Sequence, residues 1–168
     1  GSIRGSAPTA GIRSNVICGF PGETEDDIEV LCEFLANAEL DAIGVFGYSA
    51  EDGTEALRLA GQHPTEEIEA RRRRVADLAD ELVNWRAETR IGERVQVLVE
   101  EVDGRITGRA AHQGREVDGN VCLITSDRLK PGDLVEAIVA DTDGADLIAT
   151  AVPHQLVLSV GERELSSP

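Results

Sequence analysis

The sequence predicts an α/β unit followed by an all-β unit. Three observations predict it. Up to about residue 88, strand-like runs alternate with helical periodicity. After Gly92 the period drops to two, with Val95, Val97 and Val99 alternating with polar residues. From there, turn signals recur at short intervals between brief apolar runs. Hydrophobic residues make up 41% of the 168, enough for a packed core. With 3 Phe, 1 Tyr and 1 Trp, that core must be built mostly of Ile, Leu, Val and Ala.

The elements follow in order. Residues 12–18 carry Ile12, Val16 and Ile17 and run into Gly19-Phe20-Pro21-Gly22, which reads as a strand ending in a tight turn. Thr24 suits a helix N-cap, with Asp27 as its capping-box partner. Glu25, Asp26 and Asp27 fill the first turn, where the helix dipole favours negative charge. Ile28, Leu31, Leu35 and Ala38 then form one apolar face. Residues 42–48 read as a second strand and residues 49–54 as a polar loop. Pro64 starts a long helix whose stripe is Ile68, Val75, Leu78, Leu82 and Trp85. The four arginines 71–74 wrap around that helix and are read as pairing with nearby glutamates.

Beyond residue 92, strands are expected at 95–99, 106–110, 121–124, 134–139 and 147–152. The dipeptides Asp103-Gly104, Asp118-Gly119, Pro131-Gly132 and Asp143-Gly144 separate them. Five short strands with these turns suggest a small closed or nearly closed β-barrel. The expected division is residues 1–88, residues 89–153 and a flexible tail over 154–168. The chain contains no Met and opens on Gly1-Ser2, so it is expected to be a piece of a longer protein.

Charge excludes more than it selects. There are 32 acidic and 16 basic side chains, a net charge of -16, and Lys130 is the single lysine. Phosphate backbones demand Lys and Arg, so nucleic acid is disfavoured as a direct partner and a basic partner is the better match. Both parts are acidic, at -10 up to residue 88 and -6 beyond it. No apolar run approaches a membrane span. Cys18, Cys32 and Cys122 lie far apart with no CxxC spacing, which reads as free thiols in a reducing, cytoplasmic setting.

Few residues suggest chemistry. The Gly19–Gly22 turn and Tyr48-Ser49 both follow predicted strands, at the edge where parallel sheets collect ligands. Neither GxGxxG nor GxxxxGK[ST] occurs. His63, His112 and His154 are scattered and form no catalytic arrangement. Glu100 and Glu101 are adjacent on a strand and therefore point to opposite faces.

The segment Ile17-Cys18-Gly19-Phe20-Pro21-Gly22-Glu23-Thr24 resembles the IxGFPGET motif of radical S-adenosylmethionine methylthiotransferases. Residues 44–54, with Tyr48, Ser49, Gly53 and Thr54, resemble the family's YSxxxGT segment. Residues 94–152, with Asp118-Gly119 and Leu129-Lys130-Pro131-Gly132-Asp133, resemble its TRAM domain. The resemblance covers about residues 7–153 and implies the C-terminal part of a TIM-like radical barrel followed by a five-stranded, OB-like TRAM barrel. It also implies S-adenosylmethionine and two [4Fe-4S] clusters in the full-length enzyme. The family's CxxxCxxC triad is absent from this chain. No cluster is expected on its cysteines, and the chain alone is expected to be inactive.

Carried over residue by residue, the resemblance assigns Ile17, Gly19, Gly22, Glu23 and Tyr48 to the cosubstrate pocket. One branch of the family modifies a tRNA adenosine. The other adds a methylthio group to the β-carbon of an aspartate in protein twelve of the small ribosomal subunit. The tRNA branch typically has Arg in the YSxRxGT loop, where this chain has Glu51. Acidic surfaces suit a basic ribosomal protein, free or on the assembling small subunit, so the protein-modifying branch is preferred. Asp103, Glu116, Asp118, Asp141 and Asp143 are the candidate docking charges. The alternatives are a tRNA adenosine methylthiotransferase and a stand-alone acidic binding module.

Overall fold

A computed structural model describes residues 3–7, 9–114 and 118–153. Glu116, His154 and the proposed tail over 154–168 lie outside the described residues. After a one-turn helix α1 (Ile3–Ser6), strand β1 (Arg13–Cys18), helix α2 (Glu25–Ala38), strand β2 (Ala42–Gly47) and helix α3 (Thr65–Glu88) form the first part. β1 and β2 pair in parallel from Arg13↔Ala42 to Cys18↔Gly47. Parallel neighbours need a crossover, and α2 supplies it.

Helix α2 starts at the capping box read from the sequence. The Asp27 N–H donates to Thr24 Oγ1, and the Thr24 N–H donates to the Asp27 carboxylate at 2.9 Å. Both helices cover one face of the two-stranded sheet. Cys18, Ile28, Leu35, Leu40 and Val75 form the core there, with Val16, Leu31, Val45 and Leu82 against it. Trp85 departs from its expected place in the stripe and is 52% exposed. At 100° per residue it lies about 80° round the helix from Val75. The last turns of α3 bury Ala79 and Ala87 instead, and Ala87 joins the core of the second part.

The second part is a closed barrel of β3 (Arg94–Glu101), β4 (Thr107–Ala110), β5 (Val121–Ile124), β6 (Leu134–Asp143) and β7 (Asp146–Ala151), in the order β3-β4-β5-β7-β6. All pairs are antiparallel except β5 with β7. Alternation puts Val95, Val97, Val99, Val121, Leu123, Ala137, Val139, Leu147 and Ala149 inside. β6 runs four residues past its expected end at 139, because its tip pairs with β7 down to Asp143↔Asp146.

A polar seam joins the two parts. Arg90, only 4% exposed, donates to Asp41 Oδ1 at 2.6 Å and to Glu93 at 2.8 Å. Arg86 Nε reaches the same Asp41 oxygen at 3.1 Å, and Asp41 Oδ2 accepts the Ile12 N–H at 2.8 Å. Arg13 meets Asp118 at 3.5 Å. Gly11 lies so close to the His112 carbonyl that no side chain fits between them. Gly92 donates to the Val139 carbonyl at 2.8 Å, stitching the connection onto β6. Gly11, Ile12, Arg13 and Asp41 all sit at the amino ends of β1 and β2, so the barrel rests on that edge. Among the described residues, no helix is long and apolar enough to cross a membrane.

Candidate functional site

The opposite, carboxyl edge carries the candidate site. β1 ends at Cys18, whose carbonyl accepts the Tyr48 N–H at 2.8 Å and so extends the ladder past β2. The chain then reverses at Gly19, with φ +81°. A Cβ there would stand 2.7 Å from the Ile68 side chain of α3, so both conformation and space require glycine. The Gly22 N–H donates to the Gly61 carbonyl at 2.9 Å, tying the turn to the loop that precedes α3. Phe20 and Tyr48 meet edge-on, their ring centroids 5.4 Å apart.

Glu23 braces this turn. Its Oε1 accepts the Gly19 N–H at 2.8 Å and Arg71 Nη1 at 2.9 Å. Arg71 Nη1 also donates to the Glu23 carbonyl at 2.9 Å, and Nη2 reaches Glu67 at 2.6 Å. Both side chains are nearly buried, at 10% and 12% exposure. Arg72 and Arg73 pair with nearby Glu69 as read from the sequence, whereas Arg74 pairs with the distant Glu25. Arg71 and Arg74 thus have partners 48 and 49 residues away, pairings that no local spacing encodes.

Of the residues assigned to the cosubstrate pocket, Gly19, Gly22, Glu23 and Tyr48 gather at this edge. Ile17 sits one residue back on the sheet face turned away from the helices. It pairs there with Phe46, and the two are 56% and 54% exposed. Tyr48 holds the one uncommitted polar group among these side chains. Its hydroxyl is buried and has no partner among the described residues. With Glu23 engaged by Gly19 and Arg71, the edge offers an apolar strip, a shaped backbone turn and one free hydroxyl. That is a binding arrangement rather than an acid–base pair. Cys18 beneath it is a buried thiol, pushed up to about 11 by burial and then by the charge of Glu23.

The candidate docking acids do not form one patch. Asp103 is exposed in the β3–β4 turn. Asp141 and Asp143 are exposed at the tip of β6. Strand pairing puts these turns at opposite ends of the barrel, since Leu98 pairs with Leu134 and Arg94 with Ile138. Asp118 must be corrected. Its side chain is 8% exposed, accepts the Gly114 N–H at 2.7 Å and faces Arg13 across the seam, so it is a structural carboxylate and not a docking charge. The seam residues Asp41, Arg86, Arg90 and His112 carried no sequence signal, because each is a lone polar residue whose partners are distant in the chain.

Residues 91–152 match the TRAM domain family. Three relatives are each named ribosomal protein uS12 methylthiotransferase RimO. The protein of Nocardioides sp. is 57% identical over 88% of this chain and 32% of its own length. That of Cutibacterium acnes is 53% identical over 88% and 31%. That of Salinispora tropica is 52% identical over 94% and 32%. The chain spans about a third of the length of these curated relatives. With such identity across both the strand-end turn and the barrel, the chain belongs to the RimO family of methylthiotransferases, TRAM domain included.

Proposed function

We propose that this chain is the C-terminal part of a radical S-adenosylmethionine enzyme that methylthiolates the β-carbon of an aspartate in ribosomal protein uS12. In this reading, residues 1–88 are the end of the radical barrel, 89–153 the TRAM domain and 154–168 a tail, in a cytoplasmic protein. The carrying observation is the strand-end edge. The IxGFPGET and YSxxxGT segments meet there through the Tyr48–Cys18 hydrogen bond and the Phe20–Tyr48 contact.

The residues fit S-adenosylmethionine on one structural ground: the edge presents a buried, unpartnered Tyr48 hydroxyl beside an exposed apolar strip. Ile17 would line the ligand, the Gly19–Gly22 backbone would shape its seat, and Tyr48 would offer it a hydrogen bond. When bound, S-adenosylmethionine supplies the radical that opens the reaction. Glu23 holds the turn in place through Gly19 and Arg71 and stays clear of the ligand's polar groups. The cysteines do not fit an iron–sulfur cluster. Cys18 faces the helices, Cys122 lies on β5, and among the described residues no three His, Cys, Asp or Glu side chains gather. No step is assigned to this chain through a cluster.

Charge favours uS12, a ribosomal protein and hence a basic partner, over tRNA. The barrel region is acidic, and Glu51 stands in the loop where the tRNA branch carries Arg. Titrating the chain with purified uS12 and with bulk tRNA at two salt concentrations tests this. Saturable uS12 binding and negligible tRNA binding are expected. Tight tRNA binding with a steep salt slope would reverse the assignment.

A further inference from the structure

The barrel carries a groove outside the seam and away from the strand-end edge. Its volume is about 910 Å³, and it runs across the outward faces of β3 and β6 between Arg94, Gln96, Leu134 and Glu136. Leu129, Val135, Val152 and Pro153 supply an apolar floor, and Asp127 and Asp133 stand at the rim. Leu134 is 65% exposed, the second most exposed large apolar side chain among the described residues after Val30. With Leu129, Val135, Val152 and Pro153 beside it, Leu134 extends the apolar surface of the groove.

The lining decides what kind of partner fits. Its one cation, Arg94, is neutralised by Glu136 at 3.1 Å. That leaves the carboxylates of Asp127 and Asp133, and Asp133 accepts only a backbone N–H at Lys130 among the bonds described here. Arg128 and Lys130 belong to the same loop but do not line the groove. Among the described residues the lining holds no aromatic ring for base stacking and no free guanidinium for phosphate, the two means of holding nucleic acid. An apolar floor with acidic rims fits an extended polypeptide with apolar side chains flanked by Lys or Arg.

We infer that this groove is where the barrel holds a basic, extended segment of its protein substrate. The inference rests on the proposed uS12 reading and locates its docking surface. β6 carries the groove on its first residues, 134–136, and reaches the seam at its other end, where Gly144 approaches Asn84. The strand-end edge lies beyond the seam, a further six-residue strand or about 20 Å away. A substrate held in the groove is therefore anchored well away from its reacting residue.

The test titrates purified uS12 into the whole chain, into three single variants and into the double groove variant. Leu134→Ser removes the exposed leucine, Asp127→Lys reverses a rim charge, and Glu29→Lys makes the same charge change on exposed α2. Leu134 and Asp127 are both exposed, so folding should survive, and thermal midpoints check this. The two groove changes combined should weaken uS12 binding at least about tenfold, while Glu29→Lys stays within about twofold of the parent. Equal loss from Glu29→Lys, or no loss from the groove pair, overturns the groove. Variants that weaken tRNA binding instead would make the occupant nucleic acid. Concentration-dependent dimerisation lost with Leu134→Ser would make it a second copy. Failure of the parent chain to bind uS12 at all would refute the underlying uS12 reading as well, whereas unchanged uS12 binding by the groove variants overturns the groove alone.

Discussion

Arg71 holds the candidate site together from outside it. Its guanidinium joins α3 to both the carbonyl and the carboxylate of Glu23, and that carboxylate fixes the Gly19 N–H. Arg71→Ala should cost about 2–3 kcal/mol, because it leaves a nearly buried Glu23 without its countercharge. Amide hydrogen exchange at Gly19 should accelerate, while barrel amides remain protected. Arg71→Lys should restore only part of this, since one ammonium cannot span Glu23 and Glu67 as the two Nη atoms of the planar guanidinium do. His112 gives a second test at this scale. Burial, and then the charge of Arg90, push its pKa down from 6.5 to about 4. The unfolded chain binds that proton first, so folding stability contributed by neutral His112 is full above about pH 6.5 and is lost as pH falls towards 4. Chemical denaturation between pH 4 and 7 should show this slope, and His112→Gln should flatten it. The glycine turn was legible in the sequence; Arg71 and His112 were not, because their environments are made by residues far away in the chain.

Elements were more legible than contacts. The capping box at Thr24 follows from two residues three positions apart, and the barrel strands follow from alternating valines. Thr24→Ala should lower stability by about 1 kcal/mol, read as a lower urea midpoint with unchanged slope. Leu147, 1% exposed in the barrel core, should cost about 2–5 kcal/mol when changed to Ala. What the sequence did not reveal was how the strands close. The parallel β5–β7 pair joins strands separated by the whole of β6, and no turn signal marks it. Trp85 was misplaced for a related reason. A stripe drawn on α3 assumes one packing partner, whereas this helix leaves the sheet and gives its last turns to the barrel.

At the scale of the whole molecule, the seam makes the two parts one unit. Asp41 anchors Arg86, Arg90 and the start of β1, and its partner Arg90 is almost fully buried. Asp41→Asn should therefore destabilise by about 3–5 kcal/mol and split one thermal transition into two, the barrel melting separately. A single unshifted transition would show that the seam contributes little. The switch from helical to strand periodicity was visible in the sequence, but the edge on which the barrel rests was not, since it depends on single polar residues. The acidic balance that disfavoured nucleic acid includes Asp127 and Asp133 at the rim of the barrel groove, set apart from the strand-end edge. The central claim is that the protein containing this chain modifies uS12. The most direct measurement is the intact mass of uS12 from cells with and without the gene that encodes it. Loss of one methylthio group from uS12 in the deletion strain is predicted. An unchanged uS12 mass, together with loss of methylthiolated adenosine from tRNA, would contradict it.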